Sequence, residues 1–266
     1  MIRVRRLESI DEYRQLADIQ KSAWGFRDLE VEPYFLMTRA QMFGGLVQGL
    51  FVNDVLVGFT FAIAARRGDE HFLFSHMAAV RAEYQGRGYG FHLKAAQRAE
   101  ALHMGYRTIR WSFDPLQSLN AFFNLHRLGV LGEAYERDIY GPGQAGLHEG
   151  LPTDRILAVW RLDSTRVMER MAGKRPRLRK DLPSTYETDP VADVIFVEIP
   201  RDIRRLKQDD PAIARRWHET TRRDCEAAFA RGHVITELVF TPDDQRVFYR
   251  LESPPAPGDA PDAPAG

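Results

Sequence analysis

Cysteine is almost missing from this chain. A single one, Cys225, stands in 266 residues, so no disulfide can close within the chain, which suits a reducing compartment. Net charge is missing too. The 37 Lys and Arg balance 37 Asp and Glu, which removes a global electrostatic drive onto nucleic acid or an anionic membrane. No apolar run approaches the ~20 residues that span a bilayer. The opening MIRVRRLESI lacks the apolar centre of a secretion signal. The expectation is a cytoplasmic protein with no membrane and no nucleic-acid partner. The triphosphate loop G-x-x-x-x-G-K-[ST] does not occur, and the eight histidines form no H-E-x-x-H. Nucleotide hydrolysis therefore lacks its marker, and no metal site is expected.

What is present reads as alternating strands and helices. IRVRRL alternates like a half-buried strand, and SIDEYRQLADIQKSAW follows as a helix. Ser9 and Glu12 have capping-box spacing, and Ile10, Tyr13, Leu16, Ala17 and Gln20 share a face. PYFLMTRAQMF is a short helix opened by Pro33. GLVQGLFV and VLVGFTFAIAARR flank Asn53-Asp54 as a β-hairpin, and HFLFSHMAAV is a further strand. FHLKAAQRAEALHMG is helical, with Ala95, Ala96, Ala99 and Leu102 on one face and Gly105 as its stop. Strand YRTIRWSF, helix SLNAFFNLHRLG stopped by Gly129, strand VLGEAYERDIYG, a loop and strand DRILAVWRL complete residues 1–163.

Residues 164–190 are polar and carry Lys174, Arg175, Arg177, Arg179 and Lys180. Without interleaved aromatics to stack on bases, they read as a basic linker. A small β-α-β-β lobe follows over 191–252: DVIFVEIP, a helix capped near Asp209 or Asp210 with Pro211 early and Gly232 as stop, then HVITELVF and RVFYRL as a hairpin. Trp217 and Arg222 on its helix read as packing and surface residues. Residues 253–266 are rich in Pro, Ala, Gly and Asp and are expected to be disordered.

QGRGYG, residues 85–90, stands between a strand and a helix. Free backbone N–H groups and the positive dipole end at a helix start, glycines permit close approach, and Arg87 adds charge, so the stretch suits a phosphate. GPGQAG at 141–146 matches G-x-G-x-x-G, but it holds Pro142 and no βαβ unit surrounds it, so it reads as an ordinary loop.

The stretch also fits [QR]-x-x-G-x-[GA] through Gln85, Gly88 and Gly90. With MAAV before it and SLNAFFNLHRLG after it, the chain over 1–163 resembles the GCN5-related N-acetyltransferase (GNAT) superfamily. HFLFSHMAAV, WSFDPLQSLNAFFNLHRLG and GLPTDR are similar to a bacterial subgroup with a C-terminal extension, some of whose members are encoded beside N-acylamino acid racemases. The resemblance implies an α/β acyl-CoA N-acyltransferase fold, with a mixed central sheet flanked by helices. It implies acetyl-CoA or another acyl-CoA as co-substrate, with no metal, and direct acyl transfer to an amine. Acetyl is the default group and succinyl the second. Gln85, Gly86, Arg87, Gly88, Tyr89 and Gly90 would then hold the pyrophosphate. Met77, Ala78, Ala79 and Val80 would meet the pantetheine arm, and Asn120 and Phe123 the pantetheine or adenine.

The remaining roles stay paired with plainer ones. His76 is a candidate general base or a structural histidine, and Asp114 an ammonium ligand or a helix cap. Ser75, Trp111, Asp154 and Arg155 are candidate substrate contacts, the last two equally a surface turn. Many family members carry a tyrosine as acid where this chain has Leu125, so either Tyr135 or Tyr140 substitutes or the thiolate leaves with little help. Cys225 reads as a buried structural thiol, and the second lobe, lacking a glycine loop, as holding no second coenzyme A. A small-molecule amine, such as an amino acid, is the expected acceptor, and a homodimer is left open. The alternatives are a non-catalytic acyl-CoA sensor or interaction module and a protein N-acetyltransferase.

Overall fold

The computed structural model describes residues 1–141, 150–174, 193–241, 243 and 245–254. The chain divides into two compact units, Met1–Trp111 and Ser112–Gly266.

Unit 1 holds β1 (Ile2–Arg6), α1 (Ile10–Arg14), α2 (Leu16–Trp24), α3 (Tyr34–Met42), β2 (Leu46–Val52), β3 (Val55–Arg67), β4 (Glu70–Val80), α4 (Tyr89–His103) and the start of β5 (Thr108–Phe113). The strands lie in the order β1-β2-β3-β4-β5. All neighbours are antiparallel except β4 and β5, which are parallel, so the sheet is mixed. Ser9 and Glu12 form the expected capping box. The single helix expected after it is divided at Gln15, whose N–H is shared between the carbonyls of Asp11 and Tyr13. Asn53 and Asp54 both take positive φ, 48° and 65°, the conformation that closes a two-residue hairpin with the twist of its strands.

Both faces of this sheet are covered, which explains the near-continuous apolar runs of β2 and β3. On one face Phe51, Phe59, Phe61 and Met77 pack with Tyr13, Leu16, Ile19 and Met37 from α1–α3. On the other, Leu50 and Val57 pack with Leu93 of α4. The face expected for α4 is corrected. Leu93, Lys94, Gln97 and Ala101 are buried, while Ala99 is exposed. Two polar side chains go inward because each finds partners there.

Unit 2 continues with α5 (Ser118–Phe122), β6 (Leu131–Glu136), β7 (Arg155–Arg161), α6 (Thr165–Met171), β8 (Val194–Ile199), α7 (Ile203–Asp209), α8 (Pro211–Ala230), β9 (Val234–Phe240) and β10 (Val247–Glu252). Its strands run β7-β6-β9-β10-β8, all antiparallel. The helix expected from Ser118 to Gly129 is α only as far as Phe122. A wide turn follows, with the Leu128 N–H reaching back five residues to the Phe123 carbonyl at 3.1 Å.

The expected boundaries differ from the observed ones. The 191–252 segment is not set apart: β9 pairs with β6 through Gly132↔Ile235, so it extends the sheet begun before residue 163. The linker expected from 164 opens instead as α6, capped by Ser164, with Val167 and Arg170 buried. Its basic residues Arg175, Arg177, Arg179 and Lys180 lie outside the described residues, as do most of the 141–146 glycines and residues 255–266 of the tail. Helix α8 starts as expected, with Asp210 accepting from the Ala212 and Ile213 N–H groups and Pro211 in its first turn. Helix α7 was not expected; Asp202 caps it by accepting from Arg205 N–H.

Candidate functional site

In unit 1 the parallel pairing of β4 with β5 stops at Phe74↔Arg110, although β4 runs on to Val80. The stretch expected to meet the pantetheine arm, Met77 to Val80, is this released end. Beyond it, Ala82–Tyr84 make one 3₁₀ turn, and the chain enters α4 through the glycines. Gly86 and Gly88 take φ of 76° and 80°, and the space where a side chain would grow from each is open. Only glycine takes this conformation without strain. Gly88 is the N-cap of α4, and no side chain caps that end. The Phe91 N–H donates to the Gly88 carbonyl at 3.0 Å, and the N–H groups before it, at Tyr89 and Gly90, keep their capacity for an anion.

The loop is braced from within. Gln85 donates its side-chain amide to the Val80 carbonyl at 2.9 Å and its backbone N–H to the Ala82 carbonyl at 3.2 Å. Gln85 therefore shapes the turn, and its backbone N–H is engaged within it. Arg87 donates to the Glu83 carbonyl at 3.1 Å and lies over the Tyr84 ring at 5.4 Å. Tyr89 packs with Tyr84 at 6.4 Å between ring centroids.

His76 lies on the exposed side of β4, as does Ala78, while Ala79 faces the core. Its Nε2 is 3.1 Å from Glu32 Oε1. Ser75 and Trp111, expected to contact substrate, are corrected. Both are buried, and both serve Lys94. Lys94 Nζ donates to Gln97 Oε1 at 2.7 Å and to Ser75 Oγ at 3.2 Å, and sits 3.9 Å from the Trp111 ring centroid. Burial pulls this lysine from its ordinary 10.5 down to about 7. The Ser75 hydroxyl and the Trp111 ring thus have a structural partner in Lys94.

In unit 2, Asp114 Oδ1 accepts the Leu116 N–H at 2.8 Å, the turn-forming role. It also lines a small cleft with Leu151, Asp154, Lys207 and His218. Asn120 is exposed and Phe123 half-buried on α5 and the turn after it. Leu125 is fully buried. Tyr135 donates its hydroxyl to Asp154 Oδ2 at 2.8 Å, and burial first, then Asp154, push its pKa far above the ordinary tyrosine range. Tyr135 is therefore a poor acid, which leaves Tyr140, half-exposed with the Arg155 guanidinium 5.2 Å from its ring centroid.

Asp154 is not a surface residue, although it lines the same cleft as Asp114. Its side chain is 1% exposed and accepts from Arg222 at 2.6 and 2.7 Å, Tyr135 at 2.8 Å and Asp138 N–H at 3.0 Å, with His218 Nε2 at 3.1 Å. Burial works to raise its pKa, and the hydrogen bonds from His218, Arg222, Asp138 and Tyr135 overcome it, holding the carboxyl well below the usual range. Arg222 is accordingly a structural partner of Asp154 rather than a bystander. Cys225 is fully buried, and burial pushes its thiol pKa well up.

Sequence reasoning missed Glu32, Lys94, Gln97 and His218. Lys94 and Gln97 at i and i+3 were a legible signal once the apolar face of α4 is centred on Leu93. Glu32, in a loop before Pro33, carried none. Among the described residues, no group of three or more His, Cys, Asp or Glu could hold a metal ion.

Comparisons with known proteins bear on this geometry. The model of the acetyltransferase (GNAT) family matches residues 10–129. No curated protein matches the chain. Among solved structures, the ribosomal-protein-S18-alanine N-acetyltransferase of Escherichia coli is 21% identical, over 61% of this chain and 94% of that one, at a TM-score of 0.48. The yncA protein of Salmonella typhimurium, solved with acetyl-CoA, is 17% identical over 61% and 95%, at 0.48. An aminoglycoside 6'-acetyltransferase type Ii is 16% identical over 60% and 97%, at 0.45. At these scores the structural likenesses are partial, and the assignment rests on the family match together with the released strand end, the glycine turn and the uncapped helix that it spans. Residues 10–129 are an acetyltransferase domain of the GNAT family.

Proposed function

We propose that this chain transfers an acetyl group from acetyl-CoA directly to the amine of a small molecule, with amino acids the first class to test. The observation that carries the reading is the turn at 86–90, which opens an uncapped helix beside a strand end freed from its parallel neighbour. One helix terminus contributes only ~0.3–1 kcal/mol to an exposed anion. Several N–H groups must therefore converge, and glycine at 86, 88 and 90 lets the backbone come close enough. Arg87 adds a cation at the same turn.

Acetyl-CoA, when bound, supplies the acyl group as a thioester. The N–H groups of Gly86 to Gly90 would hold its pyrophosphate, and the backbone of Met77 to Val80 would line the pantetheine arm. His76 would take the proton that the amine must lose to attack. The unit 2 candidates, Asp114, Asn120, Phe123, Tyr140 and Arg155, enter by resemblance alone and are to be tested one substitution at a time. Arg155 makes succinyl-CoA the second donor to test, since a guanidinium pairs well with a carboxylate.

The test is free-thiol release from acetyl-CoA and succinyl-CoA over a panel of amino acids, other small amines and peptides. Release with a small amine supports the proposal. Coenzyme A binding without release on any amine supports a second reading, an acyl-CoA sensor. That reading is favoured by leucine rather than tyrosine at position 125 and by the engagement of Tyr135 with Asp154, which leave neither position to supply an acid.

A further inference from the structure

We propose that Glu32 is a positioning residue for His76, holding the ring in the tautomer whose Nδ1 is the basic nitrogen. This rests on the acyl-transfer reading above. Strand β4 is irregular at this point. Phe61 pairs with Met77 and Ala62 with Ser75, so His76 is an extra residue with no partner on β3. Such a bulge re-aims a side chain at the expense of ladder pairing. The ring it presents is fixed on two sides. The Phe61 ring stands edge-on at 5.7 Å and 85°, and Glu32 Oε1 lies 3.1 Å from Nε2.

Glu32 is itself held in place. Gln20 on α2 is fully buried, and its amide closes on the Glu32 backbone from both directions. Its Nε2 donates to the Glu32 carbonyl at 3.2 Å, and its Oε1 accepts the Glu32 N–H at 2.8 Å. Pro33 follows at once as the N-cap of α3. A surface ion pair of ordinary kind contributes little and gives no reason to bury a whole amide behind it. The side chains of Glu32 and His76 stay 30% and 31% exposed, so the pair is braced from behind and open in front.

The chemistry follows from donor and acceptor inventory. An ionised carboxylate only accepts, so Nε2 must carry the hydrogen, and the neutral ring then has its lone pair on Nδ1. During transfer the amine nitrogen forms the new C–N bond, and the C–S bond breaks with its electron pair leaving on sulfur as the coenzyme A thiolate. The amine proton passes to Nδ1, and the imidazolium so formed is stabilised by the Glu32 carboxylate. Glu32 does not touch substrate.

The test uses the full chain labelled with ¹⁵N-histidine. Long-range ¹H–¹⁵N spectra are expected to show His76 protonated at Nε2 with a bare Nδ1, and Glu32→Ala to mix the two tautomers. A wild-type ring protonated at Nδ1, or an unchanged tautomer in Glu32→Ala, overturns the proposal. Thiol release provides the second arm. Glu32→Ala is expected to lose roughly tenfold or more in kcat, a part of the ~10²–10⁴-fold that a general base contributes, with coenzyme A affinity by titration unchanged. Glu32→Gln guards against misfolding of the alanine variant and should show the same kcat loss. In His76→Ala, adding Glu32→Ala should cost nothing further, because the pair acts as one unit. Equal, independent losses would overturn the positioning role. Full activity in His76→Ala would instead remove the base assigned under the acyl-transfer reading, and the two failures are thus distinct.

Discussion

Replacing Lys94 by methionine removes a buried charge while keeping the length of the side chain. Lys94 is 4% exposed and bonded to Gln97 and Ser75, and burial brings its pKa from 10.5 to about 7. That gap, at 1.36 kcal/mol per pH unit, sets the cost of the folded charge at about 5 kcal/mol or less. The sign follows from proton counts. Between pH 7 and 10.5 the unfolded lysine keeps its proton while the folded one releases it, so stability rises with pH through that window. Below pH 7 both forms are charged and the penalty is complete. Methionine escapes it but loses two hydrogen bonds of about 1 kcal/mol each, and Ser75 and Gln97 still bond to each other at 3.2 Å. Lys94→Met should be about 3 kcal/mol more stable than wild type in urea at pH 6.5. The advantage should shrink and change sign by pH 10. An equal loss at both pH values would refute the reasoning, because it would mean that packing rather than charge governs the site.

Three further outcomes can be checked on the same protein. Asp154→Asn should cost about 3 kcal/mol in urea denaturation, since it leaves the Arg222 guanidinium without its counter-charge and removes the carboxylate beside His218; a change under about 0.5 kcal/mol would deny the hub. The Asp154 carboxyl is held low, so its contribution should persist above its ordinary pKa and be lost only as pH falls below it. Cys225 should stay unmodified by an aromatic disulfide reagent at pH 8 until the chain is unfolded, because burial suppresses both access and the thiolate; rapid labelling of native protein would contradict this. Leu125→Tyr should lower stability by about 1–3 kcal/mol through overpacking at a fully buried position, rather than raise the rate of thiol release.

Local chemistry was legible in the sequence, and long-range company was not. The Ser9–Glu12 capping box, the Asn53-Asp54 turn and the Asp210-Pro211 helix start each depend on neighbours within a few residues. The glycines of 86–90 could be read because positive φ is a demand made by the backbone alone. Asp154 was misplaced because what buries it comes from His218 and Arg222, more than 60 positions further on. Ser75 and Trp111 were misread for a related reason. Their partner Lys94 looks like a surface residue until its stem is seen lying along the buried face of α4. The return of β9 to pair with β6 was not legible, because hydrophobic periodicity does not encode which strands come together. The dyad of His76 and Glu32 needed a bulge in one strand and a clamp from another helix, neither of which leaves a mark in composition.

The most direct measurement is isothermal titration of the full chain with coenzyme A and acetyl-CoA, set beside Gly88→Glu. Gly88 has φ +80°, and a Cβ added there meets no protein atom within 4 Å, so the main cost to the fold is about 1–2 kcal/mol of left-handed strain. Circular dichroism monitors that cost. In the variant a carboxylate stands where the pyrophosphate should lie. Wild type is expected to bind both ligands and Gly88→Glu to bind neither while remaining folded. No binding by wild type, or equal binding by the two proteins, would contradict the assignment of the glycine turn to coenzyme A.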